Sequence, residues 1–135
     1  MKEAIVKKVK QWITKAENDL KVCIHEINYE EPVIDAICFH AQQCVEKYLK
    51  AYLVFHQQYF RKTHNIEEIT NLCKKIDQDF DLIFKIKADE ITIYATELRY
   101  SDDLIMPSIE EAKEAIAIAE KVKDFVLGKL KDKGF

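Results

Sequence analysis

Apolar residues recur at three- and four-residue steps through the first part of the chain, and this spacing predicts a helix that ends near Asn28. The apolar face comprises Ile5, Val9, Trp12, Ile13, Ala16, Leu20, Cys23, Ile24 and Ile27. The segment "NYEEP" breaks the pattern. Pro32 suits the first turn of a second helix, where a missing N–H costs nothing, and this helix is predicted to run to about Gln57.

Three further helices are predicted after the loop "HQQYFRKTHN". Asn65 and Glu68 have the spacing of a capping box at the start of a short helix, and Ser108 and Glu111 have it at the start of the last helix. Asp79 is expected to cap the helix between them. Its inward positions are Ile83, Phe84, Ile91, Tyr94, Ala95 and Leu98. The stretch "ITIYAT" has strand-like composition, but it keeps the helical period.

The residues from Gly128 onward, "GKLKDKGF", are expected to fray. The chain is therefore predicted to be all-α, an antiparallel up-and-down bundle of about five helices, four long and one short. Its 135 residues fit one domain, 1–135.

The second helix is apolar on one half of its circumference and mixed on the other. His40, Gln43, Lys47 and Lys50 gather within about 80° on the mixed half when the helix turns about 100° per residue. Phe39 and Leu53 lie on that same half. Apolar side chains at these positions are expected to be buried by another helix or by a second copy of the chain. We assign them to a dimer interface.

The polar edge of this helix has the composition of an anion-binding ledge. Lys47 and Lys50 supply charge, and His40 and Gln43 supply directional hydrogen bonds. A loop segment of Lys62, Thr63 and His64 precedes a helix N-terminus, where N–H groups attract phosphate. The alternative is a solvated polar face beside a capped helix start, and spacing alone leaves both interpretations open.

Composition narrows the classes of function. Net charge is −3, which gives no bulk reason to bind nucleic acid or an anionic membrane. The first residues lack an apolar leader and no apolar run approaches membrane length, so the cytoplasm is the expected location. The cysteines form no C-x-x-C pair, so we expect structural free thiols and no metal or cofactor site.

Four segments together resemble the HEPN domain (higher eukaryotes and prokaryotes nucleotide-binding): "WITKAENDLKVC", "FHAQQCVEKYLKAYL", "RKTHNIEEI" and "YATELRYSDD". The resemblance covers roughly residues 8 to 128. The matching residues are Ala16, Asp19, Gln43, Glu46, Lys47, Lys50, Thr63, His64, Arg99 and Tyr100.

The resemblance implies an all-α bundle, often a homodimer. It also implies a nucleotide- or substrate-binding module that acts with a minimal nucleotidyltransferase, in many cases as a toxin–antitoxin pair. Many HEPN proteins are instead ribonucleases with Arg, four to six residues, then His. Here Arg61 precedes His64 by too few residues, and the His positions after Arg99 hold Leu104, Ile105 and Met106, which cannot act as acid or base.

We therefore expect no catalytic residues and a binding role, with a degenerate ribonuclease toxin or a structural dimerisation module as alternatives. Asp19 and Arg99 flank core positions, and with Glu46 and Tyr100 they are expected to be structural electrostatic groups. A half-buried charge needs a partner. For Asp19 and Arg99 the candidates are Lys47, Glu46 or each other.

The protein is predicted to be a homodimer in solution, because Phe39 and Leu53 would each contribute about 1.5–3 kcal/mol when covered. Multi-angle light scattering at high micromolar concentration measures this directly. A monomeric mass would contradict the prediction.

Overall fold

A computed structural model describes residues 2–97 and 106–135 of the protein. All regular structure in these two ranges is helical, which confirms the all-α prediction. The α-helices are α1 (Glu3–Ile27), α2 (Ile34–Phe55), α3 (Ile66–Ile76), α4 (Leu82–Lys85) and α5 (Ile109–Asp132), and 3-10 helices span Gln78–Asp81 and Ala88–Tyr94. Of the described helices, none is both long and apolar enough to cross a membrane.

The three long helices α1, α2 and α5 form the body of the bundle. α1 and α2 run antiparallel: the Cys23 thiol donates to the Ile37 carbonyl at 3.3 Å, and farther along Tyr48 donates to Glu17 at 2.9 Å. Phe135, three residues after the end of α5, packs edge-on against Phe55 with ring centroids 5.9 Å apart. α2 and α5 therefore end at the same end of the bundle, and Val6 of α1 lines a groove there with Phe135.

α2 is the central helix, because 15 of its 22 residues are buried, on the polar edge as well as the apolar face. Leu53 is completely buried within the single chain. The prediction that Leu53 contributes to a dimer interface is therefore wrong, since its own chain covers it. Phe39 is half-buried, and its place in an interface stays a prediction.

The helix starts follow local chemistry, with three corrections. Ser108 and Glu111 form the reciprocal capping box. Asn65 caps α3 by accepting from the Glu68 N–H at 3.0 Å, but the Glu68 carboxylate binds Arg61 instead of completing the box. Asp77, not Asp79, caps the next segment. Pro32 lies outside α2, which begins at Ile34.

The predicted fourth long helix is broken into short pieces. Lys87 adopts a left-handed conformation, with φ 62°, between α4 and the second 3-10 helix. The Thr92 hydroxyl accepts from the Ile66 N–H at 3.1 Å, which ties this segment to the start of α3. The β-branched stretch around Thr92 has weak helix propensity, so this tertiary contact outweighs its helical period. The segment still buries four predicted inward positions, Ile83, Ile91, Tyr94 and Ala95, whereas Leu98, Arg99 and Tyr100 lie outside the described residues.

The C-terminal residues do not fray. α5 continues to Asp132, and Leu130 is fully buried. The prediction of fraying from Gly128 is wrong because Leu130 belongs to the core, and burial of this side chain holds the last turns.

Replacing Leu130 with Ala should lower the free energy of unfolding by about 2–5 kcal/mol, the usual cost of a core cavity. Urea denaturation followed by circular dichroism measures the change. Lys131→Ala, at an exposed neighbouring position, should change it by less than about 0.5 kcal/mol. Equally small losses for Leu130→Ala and Lys131→Ala would mean that the end of α5 contributes nothing to the free energy of unfolding.

Candidate anion-binding site

Two buried carboxylates lie under the polar edge of α2. Asp19 comes from α1 and Glu46 from α2, and their side chains are 9% and 4% exposed. An ionised carboxylate at such depth needs charged or hydrogen-bonding partners. Each of these has both a lysine and a histidine.

Asp19 binds two side chains of α2 across the helix interface. Its Oδ1 lies 2.7 Å from His40 Nδ1, and its Oδ2 accepts from Lys47 Nζ at 2.6 Å. His40 and Lys47 are seven residues apart, which places them on one face of α2 two turns apart. Lys47 was among the predicted partners of Asp19, and in the structure the two side chains form an ion pair.

Glu46 joins α2 to the loop before α3. Its Oε2 accepts from Lys50 Nζ at 2.8 Å, and its Oε1 lies 2.8 Å from His64 Nδ1. Gln43 Nε2 also lies 3.4 Å from Oε1 and donates to Gln42 Oε1 at 2.7 Å. Gln42 in turn donates to the His64 carbonyl at 2.9 Å. The carboxylate therefore fixes both the side chain and the backbone position of His64.

Lys50 is buried, contrary to the expectation of an exposed ammonium group. Besides Glu46, its Nζ donates to the Thr63 carbonyl at 2.9 Å. It also lies 5.7 Å from the ring centroids of Trp12 and Phe60, within the range of cation–π attraction. Lys50 is thus a structural cation that closes the loop onto α2.

The rim of this site comprises the partly exposed side chains of His40, Lys47 and His64 together with the exposed Lys62, which is two residues before His64 in the loop. The His40 and His64 side chains are 32% and 55% exposed. Because Nδ1 of each ring faces a carboxylate, Nε2 is the nitrogen left for solvent or a ligand. Lys62 is exposed and has no ion-pair partner in residues 2–97 and 106–135. Thr63 instead serves the fold, since its hydroxyl accepts from the Asn65 N–H at 3.1 Å.

The structure therefore places six of the seven predicted binding residues, all but Lys62, in two hydrogen-bonded clusters: His40 and Lys47 around Asp19, and Gln43, Lys50, Thr63 and His64 around Glu46. It adds Gln42, Trp12 and Phe60, which sequence reasoning did not assign. Gln42 lies on the mixed half of α2, and its full burial there marks it as a contact to another segment. Nothing in the sequence links Trp12 and Phe60 to Lys50, because these contacts depend on the path of the loop. Arg99 and Tyr100 fall outside the described residues.

A family model for the HEPN domain matches residues 9–130, most of the chain. The chain belongs to the HEPN domain family. Among solved structures, the crystal structure of ST0689, an archaeal HEPN homologue, superposes with a TM-score of 0.68 and 26% identity over 90% of this chain and 96% of that chain. A search of curated proteins finds no significant match.

Among the residues that the structure describes, Arg61 and His64 do not form an Arg–His pair of the ribonuclease type. Arg61 makes a bidentate pair with Glu68, and His64 faces Glu46. The two side chains thus have separate carboxylate partners, in addition to the short spacing between them. Within this HEPN chain, His64 belongs to the Glu46 network.

Replacing Glu46 with Gln should lower the free energy of unfolding by about 3–5 kcal/mol, because it leaves the Lys50 ammonium buried without a counter-charge. Chemical denaturation measures this loss. The exposed pair offers a matched control: Glu68→Gln should cost about 1 kcal/mol or less.

The double variant Glu46→Gln/Lys50→Met completes the cycle. Its loss should be smaller than the sum of the single losses, because no buried charge is left unpaired. Additive losses would argue against a coupled pair.

The four cysteines are free, buried thiols. Burial raises the pKa of Cys23 to about 12 and that of Cys38 to about 11, and it also raises the pKa of Cys44 and Cys73. Thiols with raised pKa are poor nucleophiles at neutral pH. They form part of the core and supply no chemistry to the site.

The free energy of unfolding should fall as the pH rises from about 9 to about 11–12. In this window the unfolded thiols lose protons near pKa 8.5 while the folded thiols keep theirs, so the native state binds more protons. Urea denaturation at pH 7, 9 and 10.5 in reducing buffer tests the slope. Cys23→Ala should make the fall smaller, and an unchanged fall would assign it to other groups.

Proposed function

We propose that this HEPN protein is a non-catalytic binding module that holds the phosphate groups of a nucleotide at the rim formed by His40, Lys47, Lys62 and His64. One observation carries the proposal. Each buried carboxylate faces a histidine through Nδ1, so the outer nitrogen of each ring has a fixed direction. As an imidazolium, each ring donates from Nδ1 to its carboxylate and from Nε2 to an anion, and a donor that is already held in place binds without the entropic cost of ordering it.

The excess positive charge of the site lies on its rim. Lys47 neutralises Asp19 and Lys50 neutralises Glu46, so the buried part has no excess charge. Lys62 adds an exposed cation on the rim. Two phosphate oxygens could therefore contact Lys62 and the imidazole nitrogens while the buried pairs stay intact. In this arrangement Lys50 and Gln43 contact Glu46, which holds the His64 ring, and they do not contact the anion.

The proposal extends to the partner and the assembly of the protein. We propose that a minimal nucleotidyltransferase binds over this surface, that the chain is a homodimer, and that the two proteins form a toxin–antitoxin pair. A ligand held by surface side chains leaves one side uncovered, which suits contact with a second protein. Co-expression with a minimal nucleotidyltransferase from the same genome, followed by light scattering, would show a mixed complex. Separate elution of the two proteins would remove this part of the proposal.

A purely structural role is the second candidate, and the same contacts favour it. Lys47 and Lys50 are already paired inside the chain. If the network only holds the loop onto α2, changes in it will alter stability and bind nothing.

Two replacements of His64 distinguish a binding role from a structural role, because each variant removes a different ring nitrogen. His64→Asn keeps a polar group near Nδ1, facing Glu46, and removes Nε2. It should retain most of the stability and lose at least about tenfold in ATP affinity, since charge-assisted hydrogen bonds are worth roughly 1.5–3 kcal/mol. His64→Gln places its amide near Nε2, so it should lose stability and keep more of the affinity. Isothermal titration with ATP, beside thermal melts, measures both quantities.

Lys121→Ala, at an exposed position on α5, is the control and should change neither quantity. Affinity should also weaken with salt, because an exposed ammonium group is screened. If ATP gives no heat with the wild-type protein and both His64 variants lose only stability, the structural role is correct.

A further inference from the structure

A groove of about 410 Å³ lies at the end of the bundle where α1 begins and α5 ends. Val6, Phe55 and Phe135 give it apolar walls, and Lys10 and Lys133 border it with ammonium groups. Its volume lies within the range of small-ligand pockets. No residue of the rim lines it, so this end groove is separate from the site described above.

The residues after α5 form a fixed wall of the end groove. Gly134 has φ 86°, a left-handed conformation that glycine adopts without a Cβ penalty. Its N–H donates to the Lys131 carbonyl at 2.9 Å, and the Phe135 N–H donates to the Leu130 carbonyl at 3.0 Å. These two bonds are those of a Schellman motif, which closes the end of a helix. Because the motif sets Phe135 against Phe55, the backbone holds the apolar part of the groove in place.

The end groove continues along the outer face of α1. A second depression shares Lys10 with it and extends over Lys7 and Lys15, which lie about 12 Å apart along the helix axis. These three side chains are exposed. Glu3 is the one carboxylate among the described residues that line this depression. The three lysines and Lys133 therefore form a basic surface around the apolar groove.

The charge of the basic surface is not balanced within the described parts of the chain. Residues 2–15 hold five lysines and one glutamate, a net charge of +4, whereas the whole chain carries −3. Lysines elsewhere are paired with carboxylates: Lys47, Lys50, Lys74, Lys85, Lys123 and Lys129. None of the four lysines of the basic surface forms an ion pair with a residue in 2–97 or 106–135. Like charges three residues apart, as at Lys7 and Lys10, repel each other on a helix, and an anionic partner would remove that repulsion.

We propose that the basic surface is a docking site for an acidic segment of a partner protein, which places an apolar side chain in the end groove and carboxylates beside the lysines of α1. Charge complementarity and the apolar walls carry this inference. A small anion in the groove would leave Lys7 and Lys15 unpaired, because they lie outside it. The inference concerns a surface away from the rim and does not depend on the proposed phosphate binding.

A nucleic acid fits this surface less well. Single strands stack on successive aromatic rings, and planar guanidinium groups match phosphate geometry better than ammonium groups do. Of the described residues that line the two depressions, none is an arginine, and Phe135 is the only exposed aromatic, since Phe55 is 6% exposed. An apolar pocket of this kind instead suits the anchoring side chain of a protein partner.

Fluorescence anisotropy of labelled peptides with the full chain tests the proposal. The probe is a peptide of alternating glutamate and serine that ends in a leucine, and its matched control has serine in place of the leucine. The leucine peptide should bind roughly tenfold more tightly than the control, because only its apolar side chain fills the groove. Binding of both peptides should weaken as salt is raised, since exposed ammonium groups are screened.

Two variants separate the charged and apolar parts of the surface. Lys7→Glu/Lys10→Glu should weaken both peptides by about fivefold or more, because it replaces attraction with repulsion. Acidic side chains near a helix start are favourable, so this variant should fold. Phe135→Ala should bring the leucine peptide to the affinity of the control peptide and leave the control unchanged. Lys121→Glu, at an exposed position on α5, should change neither affinity, and thermal melts verify that each variant is folded.

Several outcomes would overturn the inference. Equal affinities of the two peptides would show that the groove holds no apolar side chain. Unchanged affinities in Lys7→Glu/Lys10→Glu, or no binding of the leucine peptide at low ionic strength, would remove the charged part. Polyuridylate that binds more tightly than the leucine peptide and displaces it would identify a nucleic-acid surface instead, and phosphatidylglycerol vesicles that do so would identify a membrane surface. Each of these results leaves the rim proposal standing, because no residue of the rim is changed.

Discussion

The ion pair between Glu46 and Lys50 is the contact on which the central part of this molecule depends. Both side chains are almost fully buried, and removing two charges from water has a cost that their mutual attraction offsets only with good geometry and further hydrogen bonds. The structure supplies those bonds from Gln42, Gln43, His64 and the Thr63 carbonyl. The loop before α3 is thus held in one position on α2, because moving it would remove the hydrogen bonds that His64 and the Thr63 carbonyl make to this buried pair.

Sequence reasoning located the features that depend on neighbouring residues. The Ser108 capping box and the Asn65 cap are local, and both formed. Glu46 and Lys50 have the i, i+4 spacing of a helical ion pair, so the sequence places the two side chains next to each other on α2. The sequence does not show how deeply these two side chains are buried, because Trp12, Phe60 and the loop cover that edge of α2.

The incorrect predictions concern contacts between segments that are distant in the sequence. A helical wheel shows that Leu53 lies among polar residues, but it does not show which segment covers them. The segment from Gln78 to Tyr94 keeps a helical period, yet the contact between Thr92 and Ile66 holds it in a different conformation. In the candidate site, the links from Glu46 to His64 and from Asp19 to His40 connect residues 18 and 21 positions apart. Such contacts follow from the fold and not from spacing.

The position of the chain ends has a consequence for how this domain can be joined to others. Val6 and Lys10 of α1 share a groove with Lys133 and Phe135, and Phe135 contacts Phe55, where the loop toward α3 begins. Both termini therefore lie together, at the end of the bundle from which that loop starts. A short linker could close them into a circular permutant, with new ends opened in the exposed turn between α1 and α2. In a fusion protein, a domain attached at either terminus would start from this one end of the bundle.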